Sequence, residues 1–386
     1  MHNIVMLLSN AFRPDMRVLK EAESLAEAGY MVSIICWDRR REFPEEEILR
    51  SGVRVIRIHS VPTNYGAGLQ QILRTPRFWS AAIQKALQVK PSLVHCHDLD
   101  TLYAGVQIKK RLRCKLVYDA HEDYPALMSL YLPRFCVPLL NLFERNLLHQ
   151  VDATLAASSV FLEKLGTARN IPSAYLPNVP DLAAFDRISA HQFTLARQEL
   201  GLEENAYVVS YIGGFSRNRL LLPLIEAVTG LPEVTLLLWG DGHQRSAVEE
   251  AIRGKTNIRY LGWLQADLVP LYTCMSDAVY YCLRPDYPGA IFNAPNTLSN
   301  AMAARRPVIA NYIGDLGRIV RDTGCGILLD EISPQTIRKA ILTLGEPSIR
   351  RKLGEAGRAA AEGEFNWQAI AQRLLDIYRI LLGQSA

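Results

Sequence analysis

The sequence predicts an α/β protein made of two doubly wound, Rossmann-like domains, each a parallel sheet covered by helices on both faces. Three observations carry this expectation. Short apolar runs alternate with amphipathic helical periods, and the series occurs twice along the chain. The runs are apolar throughout, as strands buried on both faces must be. A turn-rich break containing Pro177, Asn178, Pro180 and Asp181 separates the two series. At 386 residues, 49% apolar and 21% charged, the chain has the size and composition of two globular domains.

Taken in order, residues 3–8 read as a first strand. Residues 15–29 follow as an amphipathic helix, with Val18, Ala22, Leu25 and Ala26 on the buried stripe and Gly29 at its end. Further strands are expected over 31–37, 53–58, 92–96, 115–119 and 153–157, with a helix over about 100–113. Residues 176–201 read as the linker. The second series places strands at 207–212, 234–239, 258–261, 278–283, 308–311 and 326–329. Residues 293–310 read as loop, helix, loop, strand: Asn293 or Asn296 caps the helix, Pro295 suits its first turn, and Pro307 stops it. Residues 367–382 form a last amphipathic helix. The expected domains are 1–180, 181–365 and a terminal segment 366–386.

Composition narrows the function. No run of about 18 apolar residues occurs, so no membrane-spanning helix is expected. The first residues read as a strand rather than a signal peptide. The seven cysteines form no CxxC pair and read as buried free thiols, as in a cytoplasmic protein. Cys96 lies between His95 and His97, but in a strand the two histidines share one face and the cysteine takes the other, so no metal is expected there. Residues 1–180 hold 22 Lys and Arg against 17 Asp and Glu, which hints at an anionic acceptor or membrane surface on the first domain. The interleaved basic and aromatic stripe of a nucleic-acid binder is missing.

Candidate chemistry gathers at strand ends, where doubly wound sheets bind ligands. After the strand 207–212, Gly213 and Gly214 let backbone N–H groups approach a diphosphate, and Arg217 and Arg219 supply guanidinium groups suited to phosphate oxygens. The plain alternative is a tight turn with solvated arginines. Gly240-Asp241-Gly242 follows the next strand and is equally readable as a turn or a ligand contact. The start of the helix after Asn293 offers the backbone around Ala294, Pro295, Asn296 and Thr297, an address for phosphate or sugar. His121, after the strand 115–119, faces the expected cleft; its plain alternative is a bond to Glu122 or a nearby carbonyl. Asp98 and Asp100 could hold a cation, but at a helix start they read as caps. Arg13 and Arg17 lie in the first loop, where acceptor contact and a solvated face are both open. The apolar stretch 127–148, interrupted by Pro133 and Pro138, reads as core packing ahead of a bilayer surface.

Together these motifs resemble the retaining GT-B glycosyltransferases of family 4, the group 1 glycosyltransferases. The resemblance rests on Asp15-Met-Arg17 with Lys20-Glu21-Ala22 and Leu25 to Gly29, on His95 to Asp98, Asp119 to Glu122 and Leu176 to Val179. In the second half it rests on Gly213-Gly214 with Arg219, Gly240 to Gly242, Pro295-Asn296 with Ala301 to Ala304, and Pro307 to Ala310. It implies two Rossmann-like domains facing a central cleft, the first binding an acceptor and the second a nucleotide diphosphate sugar. It implies that Gly213, Gly214 and Arg219 hold the diphosphate, that His121 meets the donor sugar, and that transfer needs no bound metal and no cofactor beyond the co-substrate. The family's paired glutamates are replaced by Phe292 and Asn300, the second at the place that meets the ribose. Leu220 and Arg306 stand where glycines are usual. The expected activity is hexosyl transfer to a glycan, lipid-linked or other hydroxyl acceptor in polysaccharide biosynthesis. The alternatives are a non-catalytic sugar-nucleotide or partner-binding protein and a nucleotide-sugar epimerase. Arg13 and Arg17 fall on the acceptor side, and peripheral contact with the inner membrane face is expected.

Overall fold

The computed structural model describes residues 2–13, 15–59, 61–62, 69–133, 135–166, 170–203 and 205–383. The chain divides into two compact units, Met1–Pro177 with Ile370–Ala386, and Asn178–Ala369.

The first unit is built on strands β1 (Asn3–Leu8), β2 (Met31–Trp37), β3 (Glu46–Ile48), β4 (Arg54–Ile58), β5 (Leu93–His97), β6 (Lys115–Ala120), β7 (Ala153–Ala156) and β8 (Ser173–Tyr175). Their order is β3-β4-β2-β1-β5-β6-β7-β8. Only the edge strand β3 runs antiparallel, against β4. Ile4 to Leu7 are wholly buried, which is why the central strand reads as an unbroken apolar run. The helix Met16–Glu27 is capped by Asp15, whose carboxylate accepts from Val18 N–H at 3.2 Å. The helix Trp367–Leu382 buries Ile370, Leu374, Ile377, Tyr378 and Leu381, a single stripe at helical spacing.

The second unit holds β9 (Tyr207–Ile212), β10 (Val234–Trp239), β11 (Ile258–Tyr260), β12 (Ala278–Tyr281), β13 (Val308–Asn311) and β14 (Gly326–Leu329). The order is β11-β10-β9-β12-β13-β14, all parallel. The direction of strand order reverses between β1 and β5 in one sheet and between β9 and β12 in the other. Each unit therefore has its crevice at the carboxyl ends of those strands.

Several expectations are corrected. Residues 176–201 are not a bare linker but contain the helices Leu182–Asp186 and Ala190–Glu199. The second carries a capping box of Ser189 and Gln192, a start signal the turn residues upstream masked. The helix Leu69–Val89, with its internal Pro76, was also unread. The stretch 127–148 is not one regular helix, as expected: Pro133 lies between the helices Tyr124–Met128 and Cys136–Leu148, while Pro138 sits in the first turn of the second. Core packing, however, does not describe it. Phe135, Leu139 and Leu142 are 73%, 63% and 52% exposed and share one helical face.

The helix of the 293–310 segment spans Asn296–Ala303, and neither asparagine caps it. Pro295 takes the cap position with no side-chain bond, while Asn293 accepts from the Tyr281 hydroxyl at 3.1 Å. Gly354, on the helix Pro347–Gly363, lies against this segment, where a Cβ would overlap the Arg305 carbonyl oxygen. The helix is thereby packed from behind.

Candidate functional site

In the first unit the strand register assembles a buried cluster. His95 and His97 alternate onto one face of β5, and Asp119 of β6 is the register partner of His97. Cys96 takes the opposite face, against Gly105. The helix Met16–Glu27 lays Arg17 and Glu21 over the histidine face. The Arg17 Nη2 donates to both oxygens of Asp119, at 2.9 and 3.0 Å, and Nη1 to the Leu176 carbonyl. Arg17 Nε lies 3.1 Å from Glu21 Oε1 as an ion pair without hydrogen-bond geometry. His95 stacks on His97 with ring centroids 4.4 Å apart, and its Nδ1 meets the Tyr378 hydroxyl at 2.8 Å.

His121 follows β6 and closes this cluster. Its Nε2 is 3.1 Å from Asp119 Oδ2 and 3.1 Å from His97 Nδ1, and its Nδ1 faces Asp98 Oδ2 at 3.8 Å. Arg17 Nε also reaches the His121 Nε2, at 3.2 Å, so the ring's partners are Asp119, His97 and Arg17, not Glu122 or a carbonyl. The capping role read for Asp98 and Asp100 fails as well. Asp98 makes no side-chain cap and accepts instead from the His121 backbone N–H at 2.9 Å, in a backbone turn of φ 62°. Asp100 sits in the first turn with a buried, unpartnered oxygen among the described residues.

The charge states follow. Burial works against the His121 imidazolium, but Asp98 and Asp119 outweigh it and raise the ring to about 9. Burial likewise opposes the Asp119 carboxylate, and Arg17 and His121 overcome that and hold it well below its usual range. Burial, with Asp119 nearby, lifts Glu21 well above a normal carboxylate. Burial keeps His95 and His97 neutral. Glu21, His95, His97 and Asp119 bring one ligand atom each to within 4.8 Å of the others, a metal-like set. Arg17 lies against both carboxylates, so positive charge is already supplied there by the chain.

In the second unit the ends of β9, β10 and β12 frame the crevice. Gly240 has φ 151°, and a Cβ there would overlap the Gly213 carbonyl oxygen and crowd the Phe215 ring. Phe215 N–H donates to the Asp241 carbonyl at 2.8 Å. The Gly240-Asp241-Gly242 turn is therefore the support of the Gly213-Gly214 loop. The Gly213 N–H is committed to the Trp239 carbonyl at 3.0 Å, a correction to its expected role as a donor toward phosphate. The Gly214 N–H has no partner among the described residues, and nothing lies within 4 Å of a Cβ placed at Gly214.

Arg219 is held beside this loop. Its guanidinium lies 4.6 Å from the Tyr281 ring centroid, and its backbone carbonyl accepts from Gln244 Nε2 at 2.9 Å. Nε and Nη1 are buried and have no acceptor among the described residues. Tyr211 stacks parallel to Tyr281 and donates to the Gly214 carbonyl at 2.7 Å. Thr297, in the first turn of the Asn296–Ala303 helix, donates to the Ile212 carbonyl at 3.1 Å and so pins that helix start to the end of β9. The Ala294 carbonyl accepts from Asn178. Asn300 lies on the same helix, half-buried. Arg217 is exposed, and Asp241 pairs with Arg245 at 3.5 Å. Arg13 pairs with Glu47 on the surface at 3.2 Å, whereas Arg17 is half-buried and committed to Asp119, so of its two open readings the solvated face does not hold.

Sequence reasoning missed Tyr211, Tyr281, Asp119 and Tyr378. Glu21 did give a signal, as a carboxylate on the apolar stripe of an amphipathic helix.

Residues 16–183 match the family model for Glycosyltransferase Family 4, and residues 206–346 that for Glycosyl transferases group 1. The chain belongs to the family 4, group 1 glycosyltransferases, with the GT-B architecture of two Rossmann-like units. A D-inositol 3-phosphate glycosyltransferase of Segniliparus rotundus is 29% identical over 75% of this chain and 66% of its own length. The chain spans about half the length of other curated relatives it matches. Sucrose-phosphate synthase from Thermosynechococcus elongatus has a TM-score of 0.80 at 20% identity, covering 100% of both chains. The Anabaena protein HepE, solved in complex with UDP-glucose, has a TM-score of 0.72 at 19% identity, covering 98% of this chain and 99% of its own.

Proposed function

We propose that the protein is a retaining, metal-independent hexosyltransferase that takes its sugar from a nucleotide diphosphate donor bound to the second unit. One observation carries the reading. Arg219 keeps two buried guanidinium nitrogens without an acceptor, next to the open Gly214 backbone and at the carboxyl ends of β9 and β12. Buried donors left unmatched are costly unless an anion completes them, and a diphosphate fits both charge and place. There they oppose the charge that develops on the leaving diphosphate. The solved complex of HepE with UDP-glucose supports a uridine diphosphate sugar as the first donor to try. His121, held as an imidazolium, donates to the donor sugar. The acceptor, a glycan or lipid-linked hydroxyl, binds the first unit, which also makes peripheral contact with the inner face of the membrane.

The test is a panel of nucleotide sugars read by nucleotide diphosphate release, with and without membrane extract. Arg219→Ala should retain the thermal midpoint and lose turnover by about 100-fold or more, the scale of a lost oxyanion donor. Turnover like that of the wild type would refute the assignment.

A second reading, a non-catalytic sugar-nucleotide binder, is favoured by Phe292 and Asn300 at the places of the family's glutamates. A neutral amide bonds a ribose hydroxyl more weakly than a carboxylate does. Calorimetric binding of UDP-glucose with no product under any acceptor would select it.

A further inference from the structure

The terminal helix contributes one polar side chain to the buried cluster of the first unit, and nothing in the transfer reaction so far gives it a task. Tyr378 is wholly buried, and its hydroxyl lies 2.8 Å from His95 Nδ1. His95 is neutral, so one ring nitrogen carries the proton and the other does not. Its Nε2 is buried with no hydrogen-bond partner among the described residues, and the ionised Asp119 Oδ2 lies 3.7 Å from it, with the protonated Glu21 carboxyl at 3.9 Å. A bare Nε2 lone pair turned toward the Asp119 carboxylate would be repelled, so the proton belongs on Nε2. Nδ1 is then the acceptor, and the Tyr378 O–H donates to it. The same Asp119 Oδ2 that faces the His95 N–H takes His121 Nε2 at 3.1 Å.

We propose that Tyr378 is a positioning residue for His121: by donating to His95 Nδ1 it fixes the His95 tautomer, whose Nε2–H points its dipole, from 3.7 Å, at the Asp119 Oδ2 that the His121 ring meets. The line runs Tyr378 to His95 to Asp119 to His121, from the last helix through two neighbouring strands. It rests on the role proposed above for His121, but its structural part stands without that role.

The geometry also says what loss of the hydroxyl does. Without a donor at Nδ1, the His95 ring is free to rotate or change tautomer, and Asp119 Oδ2 loses the N–H dipole turned toward it from 3.7 Å. A carboxylate with fewer donors holds its remaining ones more firmly. His121 then keeps its proton to higher pH. The groups that face His121 and set its titration are Arg17 and Glu21 from the first helix, His95 and His97 from β5, Asp98 and Asp100 beyond β5, Asp119 from β6 and the adjacent Glu122. None of them is altered by the substitution.

The experiment is Tyr378→Phe in the full chain, which keeps the ring and removes only the hydroxyl. Long-range 1H–15N spectra of the histidine rings report tautomer and charge directly. The expected result is a His95 Nδ1 signal moved toward that of a nitrogen without a hydrogen-bond donor, and a His121 midpoint raised by several tenths of a pH unit. With UDP-glucose as donor, kcat should fall several-fold with little change in donor KM.

Should the phenylalanine variant not fold, 3-fluorotyrosine at position 378 keeps the hydroxyl and makes it more acidic. It should move the His95 Nδ1 signal while leaving the thermal midpoint within a degree or two. Unchanged His95 and His121 spectra in either variant overturn the proposal and leave Tyr378 a packing residue. Full turnover in His121→Ala would instead overturn the catalytic reading while leaving the spectra a valid test of the line.

Discussion

At the scale of single residues, the first unit concentrates its energetic risk in Asp119. It is wholly buried, takes one guanidinium nitrogen of Arg17 across both its oxygens and meets His121 at 3.1 Å. Such a group is retained because each charge compensates the other, and removal of one leaves the rest uncompensated. Asp119→Asn keeps the shape but strands Arg17 and Glu21 together. The loss expected is about 3–5 kcal/mol of stability, the cost of breaking a buried pair. Urea unfolding followed by tryptophan fluorescence measures it, and a change under about 1 kcal/mol would mean the cluster is more solvated than its burial shows. Arg17 itself was legible only as a basic residue in a loop-to-helix turn. Its partner lies 102 positions away, and no local pattern encodes a register match between β5 and β6.

At the scale of elements, what was legible was what periodicity controls. The strands β1, β2, β9, β10 and β13 fall where apolar runs place them, because strands buried on both faces need no partner information to be seen. The short edge strand β3 was not, since it is polar, and the helices of 182–199 were not, since they are short and set by capping and tertiary contact. The helix Cys136–Leu148 was misjudged for the opposite reason. Its leucines and phenylalanines look like core, yet one face stays uncovered.

That face carries Leu139 and Leu142 with Phe135 at its start, then Arg145 and His149, while its lone acid, Glu144, is turned inward to the Tyr118 hydroxyl at 2.9 Å. An apolar stripe with basic neighbours and no exposed carboxylate suits an anionic bilayer surface. Vesicles of phosphatidylcholine with a third phosphatidylglycerol should cosediment the protein. The double variant Phe135→Ser, Leu139→Ser should lower partitioning by about tenfold, as loss of two half-buried apolar side chains implies. Equal partitioning of variant and wild type would leave this face without a membrane role.

At the scale of the whole molecule, the two units are separate compact bodies in one chain, so their stabilities need not be lost in one step. Their pH dependences differ because only the first buries a titrating cluster. The sign is fixed by the direction of each shift. His121 is raised to about 9 in the fold, against about 6.5 for a free histidine. The stability from its charged form is complete below pH 6.5 and is lost as pH rises through 9. Glu21 is also raised, so the fold retains a proton the unfolded chain has released, and its contribution too is lost on going alkaline. Asp119 is depressed, and its contribution is lost only in acid.

His95 and His97 are depressed by burial, so their contribution is lost as pH falls below about 6.5. The first unit should therefore be most stable near about pH 6.5 and weaken toward pH 9, the alkaline side set by His121 and Glu21 together. Amide exchange separates it from the second unit. Protection of β5 should fall between pH 6.5 and 9 after correction for intrinsic exchange, while that of β9 stays level. His121→Gln removes one of the two titrations and should flatten the β5 profile by roughly half. A β5 profile already flat in the wild type would show that the imidazolium is not held by Asp98 and Asp119, and the donor-sugar role built on its charge would go with it.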